Sequence, residues 1–214
     1  MIEQYSQEWF NARMGKITSS TIWNLIVEPK TKKEGELSST TKDYLMSKLA
    51  ERLSGVQRDY KSDATTHGLE LEGEALNYYA GQTGNVVGEA GFIEMIKGLY
   101  GGTPDGFVND DGIIQVKCPW NYVNHINYGL VDDVDYFKKK YREYYWQCQS
   151  DMLVSDRAFC DFVSYCKDMP DGLKMFILRI PANLEDMQLL VERLDASAKF
   201  ITYTHDLLLS KWKR

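Results

Sequence analysis

The sequence predicts an α/β (α+β) fold, a central mixed β-sheet flanked by helices, and three observations carry that prediction. Apolar residues recur at helical spacing toward both ends of the chain, the middle switches to short runs bounded by glycine-rich turns, and no repeat or Pro/Ser-rich linker divides the whole. One domain over residues 1–214 is therefore expected. With 43% hydrophobic and 26% charged residues, 16 Gly and 5 Pro, the composition excludes collagenous and disordered chains. No apolar run approaches the roughly 20 residues of a membrane span, and MIEQYSQEWF lacks the layout of a signal peptide, so a cytoplasmic protein is expected.

The elements follow in order. A helix fits about 6–13, and a second begins after Thr18, Ser19 and Ser20, good capping residues ahead of Ile22, Leu25 and Ile26. Residues 28–39 read as an exposed polar loop. From about 40 to 54, Leu45, Leu49 and Leu53 stand four apart and Gly55 supplies a stop. Leu71, Ala75, Leu76 and Tyr79 form the stripe of a helix at about 68–81. Strand-like runs at 85–96, 97–101 and 112–118 are separated by Gly-Gly, Pro-Asp-Gly and Asp-Asp-Gly. The segment 120–135 reads as a polar-aromatic loop, and a long aromatic helix is expected at 136–154. Strands near 158–166 and 173–180 flank a turn at Met169 to Gly172, and a last helix spans about 183–210.

Cys118, Cys148, Cys160 and Cys166 lie in apolar segments with no C-x-x-C pair, which suits reduced, packed thiols. His67, His125 and His205 are far apart and form no zinc pattern. A formal charge of −6 excludes a uniformly basic nucleic-acid surface, so any such binding must use local basic clusters or bound cations.

The chemistry concentrates between Thr103 and Pro119. On a strand Gln115 and Lys117 share one face while Ile114, Val116 and Cys118 take the other. A hairpin closed by Asp110, Asp111 and Gly112 would bring Asp105 beside the polar pair. Oxygen ligands beside a lysine suit Mg²⁺, which can lower the pKa of a nucleophilic water, with Lys117 as fixed positive charge. The sequence contains its own control, because Pro170-Asp171-Gly172 repeats the tripeptide with no polar-x-lysine strand after it. Alone it is a turn signal.

Four segments together resemble the PD-(D/E)xK nuclease superfamily, and within it the phage lambda exonuclease type, the YqaJ-like viral recombinases. They are Trp9-x3-Arg13-x-Gly15-x-Ile17-Thr18-x-Ser20; His67-Gly68-x3-Glu72-x-Glu74-Ala75; the Thr103–Pro119 block; and Tyr144-x2-Gln147-Cys148-Gln149. The resemblance implies a restriction-endonuclease-like core and Mg²⁺-dependent 5′-to-3′ degradation of one strand of duplex DNA, with Mn²⁺ as an alternative cation. It assigns metal ligation to Glu72, Asp105, residue 115 and the carbonyl of Val116, catalysis to Lys117, and a supporting role to Gln147. Arg13, Thr18 and Ser20 would hold the 5′-terminal phosphate, with Thr103 a fourth contact. The physics is general: hydroxyls and N–H groups at a helix start bind anions, and Arg pairs phosphate bidentately. The resemblance also implies a phage or prophage origin, a homotrimer around DNA and a single-strand annealing partner.

Each assignment has a plainer alternative. Glu72 can be a solvated helix charge, although its place at the edge of the apolar stripe lets it reach a cleft; Ser19 or Ser20 can be a cap, and Arg13 a surface ion pair. Lys30, Lys32, Lys33, Lys138, Lys139, Lys140 and Arg142 are the basic clusters left to meet phosphates, or are solvated faces. Tyr141, Tyr144, Tyr145 and Trp146 read as core aromatics before stacking platforms. One departure matters most: the family has Glu or Asp where this chain has Gln115, so a negative charge is missing. The rival readings are a DNA-end-binding protein with a non-catalytic site, a structure-specific endonuclease on the same scaffold, and a protein with no nucleic-acid role.

Overall fold

The computed structural model describes residues 4–31, 35–56 and 63–212. The chain begins with helix α1 (Gln7–Arg13), capped by Ser6, whose hydroxyl accepts from the Trp9 N–H. Strand β1 (Ile17–Thr18) leads into a 3-10 helix (Ser19–Ile26). The expected helix is thus present in a tighter winding, and its cap position is Thr18, which makes no side-chain capping bond, and not Ser19 or Ser20. Helix α2 (Ser39–Ser54) comes next. Ser38 caps it and Gly55 ends it at φ 67°, a left-handed conformation that costs glycine nothing. Lys32 and Lys33 lie outside the described residues.

Helix α3 (Asp63–Thr83) precedes five short strands: β2 (Val87–Gly88), β3 (Ile93–Ile96), β4 (Tyr100–Gly102), β5 (Gly106–Val108) and β6 (Gly112–Lys117). The expected strand 85–96 is divided, because its halves join different sheets: β1-β4-β3 form one, and β2-β5-β6-β7-β8 the other, with β7 (Phe159–Tyr165) and β8 (Met175–Pro181). The second sheet is mixed. β6 runs parallel to β7 in register Gly112 with Phe159 through Lys117 with Ser164, and antiparallel to β5.

Two expectations fail between 120 and 155. The supposed loop contains helix α4 (Tyr122–Gly129), started by Asn121, whose side chain accepts from Val123 N. Its Asn, His and Tyr residues are poor helix formers, so local propensity conceals it. Tertiary contact holds it: buried His125 bonds Ser164 Oγ and the Leu173 carbonyl, both at 2.8 Å. The aromatic helix is two, α5 (Val134–Lys140) and α6 (Arg142–Ser155), broken at Tyr141 with φ −119° and ψ 49°. The break lets Lys138 and Tyr145 converge on Asp186 of the last helix, α7 (Leu184–Trp212), at 2.6 Å each, while Arg142 bonds the Ile26 carbonyl. Lys138 and Arg142 are therefore tied into the fold and not held out for phosphate. Tyr145 and Trp146 are buried, as core aromatics should be.

The alternation of β6 divides the interior. Ile113 joins Phe162, Met152, Leu190 and the 3-10 helix on one side, while Ile114 and Val116 pack with Val163 under Leu71, Ala75 and Tyr79 of α3. Burying each such side chain contributes about 1.5–3 kcal/mol. All four cysteines are free and buried. Among the described residues no helix is long and apolar enough to cross a membrane.

Candidate active site

Asp105 immediately precedes β5, and its backbone N–H donates to the Ile114 carbonyl at 3.2 Å, extending the β5–β6 pairing by one bond. Its Oδ2 accepts from Val116 N at 2.6 Å and from Gln115 Nε2 at 2.5 Å. In an extended strand the N–H and C=O of one residue leave the same edge, so the Val116 carbonyl lies on the edge that Asp105 occupies. Gln115 is 2% exposed and faces α6, where Gln147 Nε2 donates to its Oε1 at 2.9 Å. Lys117, two residues on and on the same face, approaches Gln147 Oε1 at 3.5 Å and lies 5.2 Å from the Tyr144 ring centre.

This chain of contacts orients both amides. An ammonium at one end requires an oxygen and a carboxylate at the other requires N–H, so each glutamine has one satisfactory orientation. A Gln115 Nε2 aimed at Asp105 is the result.

Glu72 reaches the cluster from α3, and Tyr5 donates to its Oε2 at 3.2 Å. Burial first, and then the negative charge of Asp105, push the Glu72 carboxyl up to about 7, against the pull of Tyr5 and Lys117. Burial likewise raises Asp105, opposed by Lys117 and the Val116 N–H. Tyr5 was not foreseen from sequence. Its signal is conformational, a φ of 64° in a residue with a Cβ, of the kind that accumulates at functional sites.

In the same cavity, the Arg13 guanidinium lies 3.8 Å from the centre of the Trp9 ring, whose Nε1 donates to Thr103 Oγ1 at 3.3 Å. Thr18 Oγ1 lies 3.3 Å from Ser20 Oγ. Glu72, Asp105, Gln115, Val116, Lys117, Gln147, Arg13, Thr18, Ser20 and Thr103 all line one cavity of about 360 Å³. All ten residues singled out in the sequence therefore meet. The plainer alternative for Glu72, a solvated charge, gives way to a half-buried carboxylate with a tyrosine partner.

Among the described residues no three His, Cys, Asp or Glu side chains gather as a metal site. The remaining donors still suit a hard divalent cation: two carboxyls whose proton affinity burial raises, Glu72 further by the charge of Asp105, gain from a cation between them, and a strand-edge carbonyl adds a neutral oxygen. Gln115 suits it only if the amide turns its oxygen toward Asp105, giving up the bond from Gln147.

A search of curated proteins gives no match. Among solved structures, an alkaline exonuclease (LHK-Exo) from Laribacter hongkongensis is 31% identical, with a TM-score of 0.81 over 96% of this chain and 97% of that one. The same enzyme in complex with dAMP matches equally. A phage-related exonuclease from Haemophilus somnus 129PT, 22% identical over 92% of this chain and 96% of its own with a TM-score of 0.76, shares the fold. Residues 8–158 match the YqaJ-like viral recombinase domain. That span contains the ten cavity residues singled out in the sequence, and the chain belongs to the YqaJ-like viral recombinase family, with the PD-(D/E)xK nuclease fold of the lambda-type exonucleases.

Proposed function

We propose that the chain acts as a single-domain, Mg²⁺-dependent exonuclease that degrades one strand of duplex DNA from a 5′-phosphorylated end in the 5′-to-3′ direction, with Gln115 weakening its catalysis. The observation that carries this reading is the meeting of a carboxylate pair, a lysine, an arginine and a set of hydroxyl side chains in one cavity. The complex of the Laribacter relative with dAMP, a nucleoside 5′-monophosphate, supports the product class.

Glu72, Asp105, the Val116 carbonyl and the Gln115 amide oxygen would hold the divalent ion. Bound there, such an ion makes water more acidic and offsets charge on phosphate oxygens. Lys117 supplies fixed positive charge beside the reacting phosphate, and Gln147, released from Gln115 when that amide turns its oxygen to the ion, still holds Lys117 in place. Tyr5 keeps Glu72 turned into the cavity. Arg13, Thr18, Ser20 and Thr103 hold the terminal phosphate, so distance along the strand selects the bond that is cut. Across Glu72 and Lys117 a groove of about 590 Å³ lined by Trp120, Asn121, Asn124 and Tyr144 gives the strand a path, while exposed Lys139 and Lys140 meet the backbone. A homotrimer around DNA and an annealing partner complete the proposal.

Duplex labelled at its ends and incubated with Mg²⁺ or Mn²⁺ tests it. Mononucleotides from the 5′-phosphorylated strand are expected; internal fragments would indicate an endonuclease. A shifted complex without products would favour the second reading, a non-catalytic end-binding protein, to which the Gln115 N–H facing Asp105 lends support.

A further inference from the structure

Behind the terminal-phosphate pocket lies a carboxyl that the proposed chemistry does not use. Asp151 on α6 is fully buried, and neither of its oxygens has a well-aligned hydrogen-bond partner among the described residues. Burying an unpaired carboxylate is costly, so its placement requires a cause. The space it occupies is made by Gly102 at the end of β4: a Cβ there would collide with Ser19 Oγ and Asp151 Oδ1 together. Ser19 lies between Thr18 and Ser20 and lines the cavity beside them.

Ser19 links the carboxyl to the pocket. Ser150 Oγ donates to Ser19 Oγ at 2.8 Å, and Ser150 is itself paired with Tyr100 OH at 2.5 Å. Ser19 therefore has a donor supplied from behind and a single hydrogen of its own to direct. An ionised Asp151 draws that hydrogen back toward itself. A protonated Asp151 offers its own O–H to Ser19 and leaves the serine hydrogen to an anion in the cavity.

We propose that Asp151 is a positioning residue that makes end recognition proton-linked: docking of a 5′-phosphate is accompanied by proton uptake on Asp151, which turns the Ser19 hydroxyl toward the phosphate. This rests on the terminal-phosphate pocket proposed above. The titratable and charged groups around Asp151 are Asp105 before β5, Lys117 on β6, Arg13 on α1, Tyr100 on β4 and Cys160 on β7. Burial, the dominant influence, already holds the carboxyl at about 7, with the Ser19 hydroxyl, Lys117 and Arg13 opposing. A phosphate dianion adds negative charge from the cavity side and moves the balance further toward the protonated form.

The test is equilibrium binding of 5′-phosphorylated and 5′-hydroxyl duplex ends to the full chain in EDTA, followed by fluorescence anisotropy from pH 6.5 to 9. Calorimetry in two buffers of different ionisation enthalpy counts protons. The phosphate's own second ionisation, near ~6, is nearly complete over most of this range. The affinity ratio of phosphate over hydroxyl ends should fall by up to about tenfold per pH unit above ~7, with uptake approaching about one proton per end. Asp151→Asn should retain a phosphate preference while losing both the slope and the uptake. A wild-type ratio independent of pH without proton uptake would overturn the proposal, as would an unchanged slope in Asp151→Asn. If that variant does not fold, Asp151→Ser and the wild-type proton count decide. Absence of any phosphate preference at every pH would remove the pocket itself, whereas a preference insensitive to pH removes only the role of Asp151.

Discussion

Replacing Gln115 by Glu probes the site at the buried amide that faces Asp105. Gln115 Nε2 now donates to Asp105 Oδ2 at 2.5 Å, and a carboxylate would set two oxygens against each other there. Two charges ~4 Å apart repel by about 4 kcal/mol at an effective dielectric near ~20. Losing a hydrogen bond to a charged group adds ~1.5–3 kcal/mol. Protonation of one carboxyl and local relaxation return much of this, leaving a net cost on the order of 3 kcal/mol in the metal-free protein. For a domain of this length that lowers Tm by roughly 6–12 °C. A divalent cation reverses the sign of the interaction, and at about 100 times its Kd it returns ~2.7 kcal/mol. Thermal unfolding of Gln115→Glu should therefore show a depressed Tm in EDTA that millimolar Mg²⁺ largely restores, together with increased Mg²⁺-dependent release of mononucleotides. An unchanged Tm in EDTA, or no greater response to Mg²⁺ than the parent protein shows, would refute the placement of residue 115 in the cation's coordination.

Two further outcomes follow from the same geometry. Arg13→Ala removes a charge-assisted contact of ~1.5–3 kcal/mol, so competition between 5′-phosphate and 5′-hydroxyl ends should show the phosphate preference reduced about 10- to 100-fold; an unaltered ratio would remove Arg13 from the pocket. Glu72 and Asp151 are acids whose folded values, both about 7, exceed their ordinary 4.5 and 3.8, so between those limits the folded state holds more protons than the unfolded one. Their contribution is complete at the acid end and declines as pH rises toward 7. Tm measured in EDTA should accordingly fall less over that interval in Glu72→Gln or Asp151→Asn than in the parent, and equal slopes would contradict it.

Much of the fold follows from patterns that act locally. The spacing of Leu45 and Leu49, the stop at Gly55 and the period-two alternation from Ile113 to Lys117 each describe one element and appear in it as expected. Where several local patterns had to coexist, packing decided: α6 breaks from α5 because Lys138 and Tyr145 share Asp186, and α4 forms around His125 despite its composition.

The same division runs through the site. The amino-acid order alone determined which residue types could do the chemistry, their faces on β6 and the neutral amide at position 115. Only the tertiary structure decided that Tyr5 supports Glu72 from 67 residues away, that the amides of Gln115 and Gln147 are locked between Lys117 and Asp105, and that Asp151 lies behind Ser19. The physical reason is that strand and helix periods fix a side chain's direction over a few residues, whereas hydrogen-bond orientation and desolvation depend on which distant groups the core brings within a few ångströms.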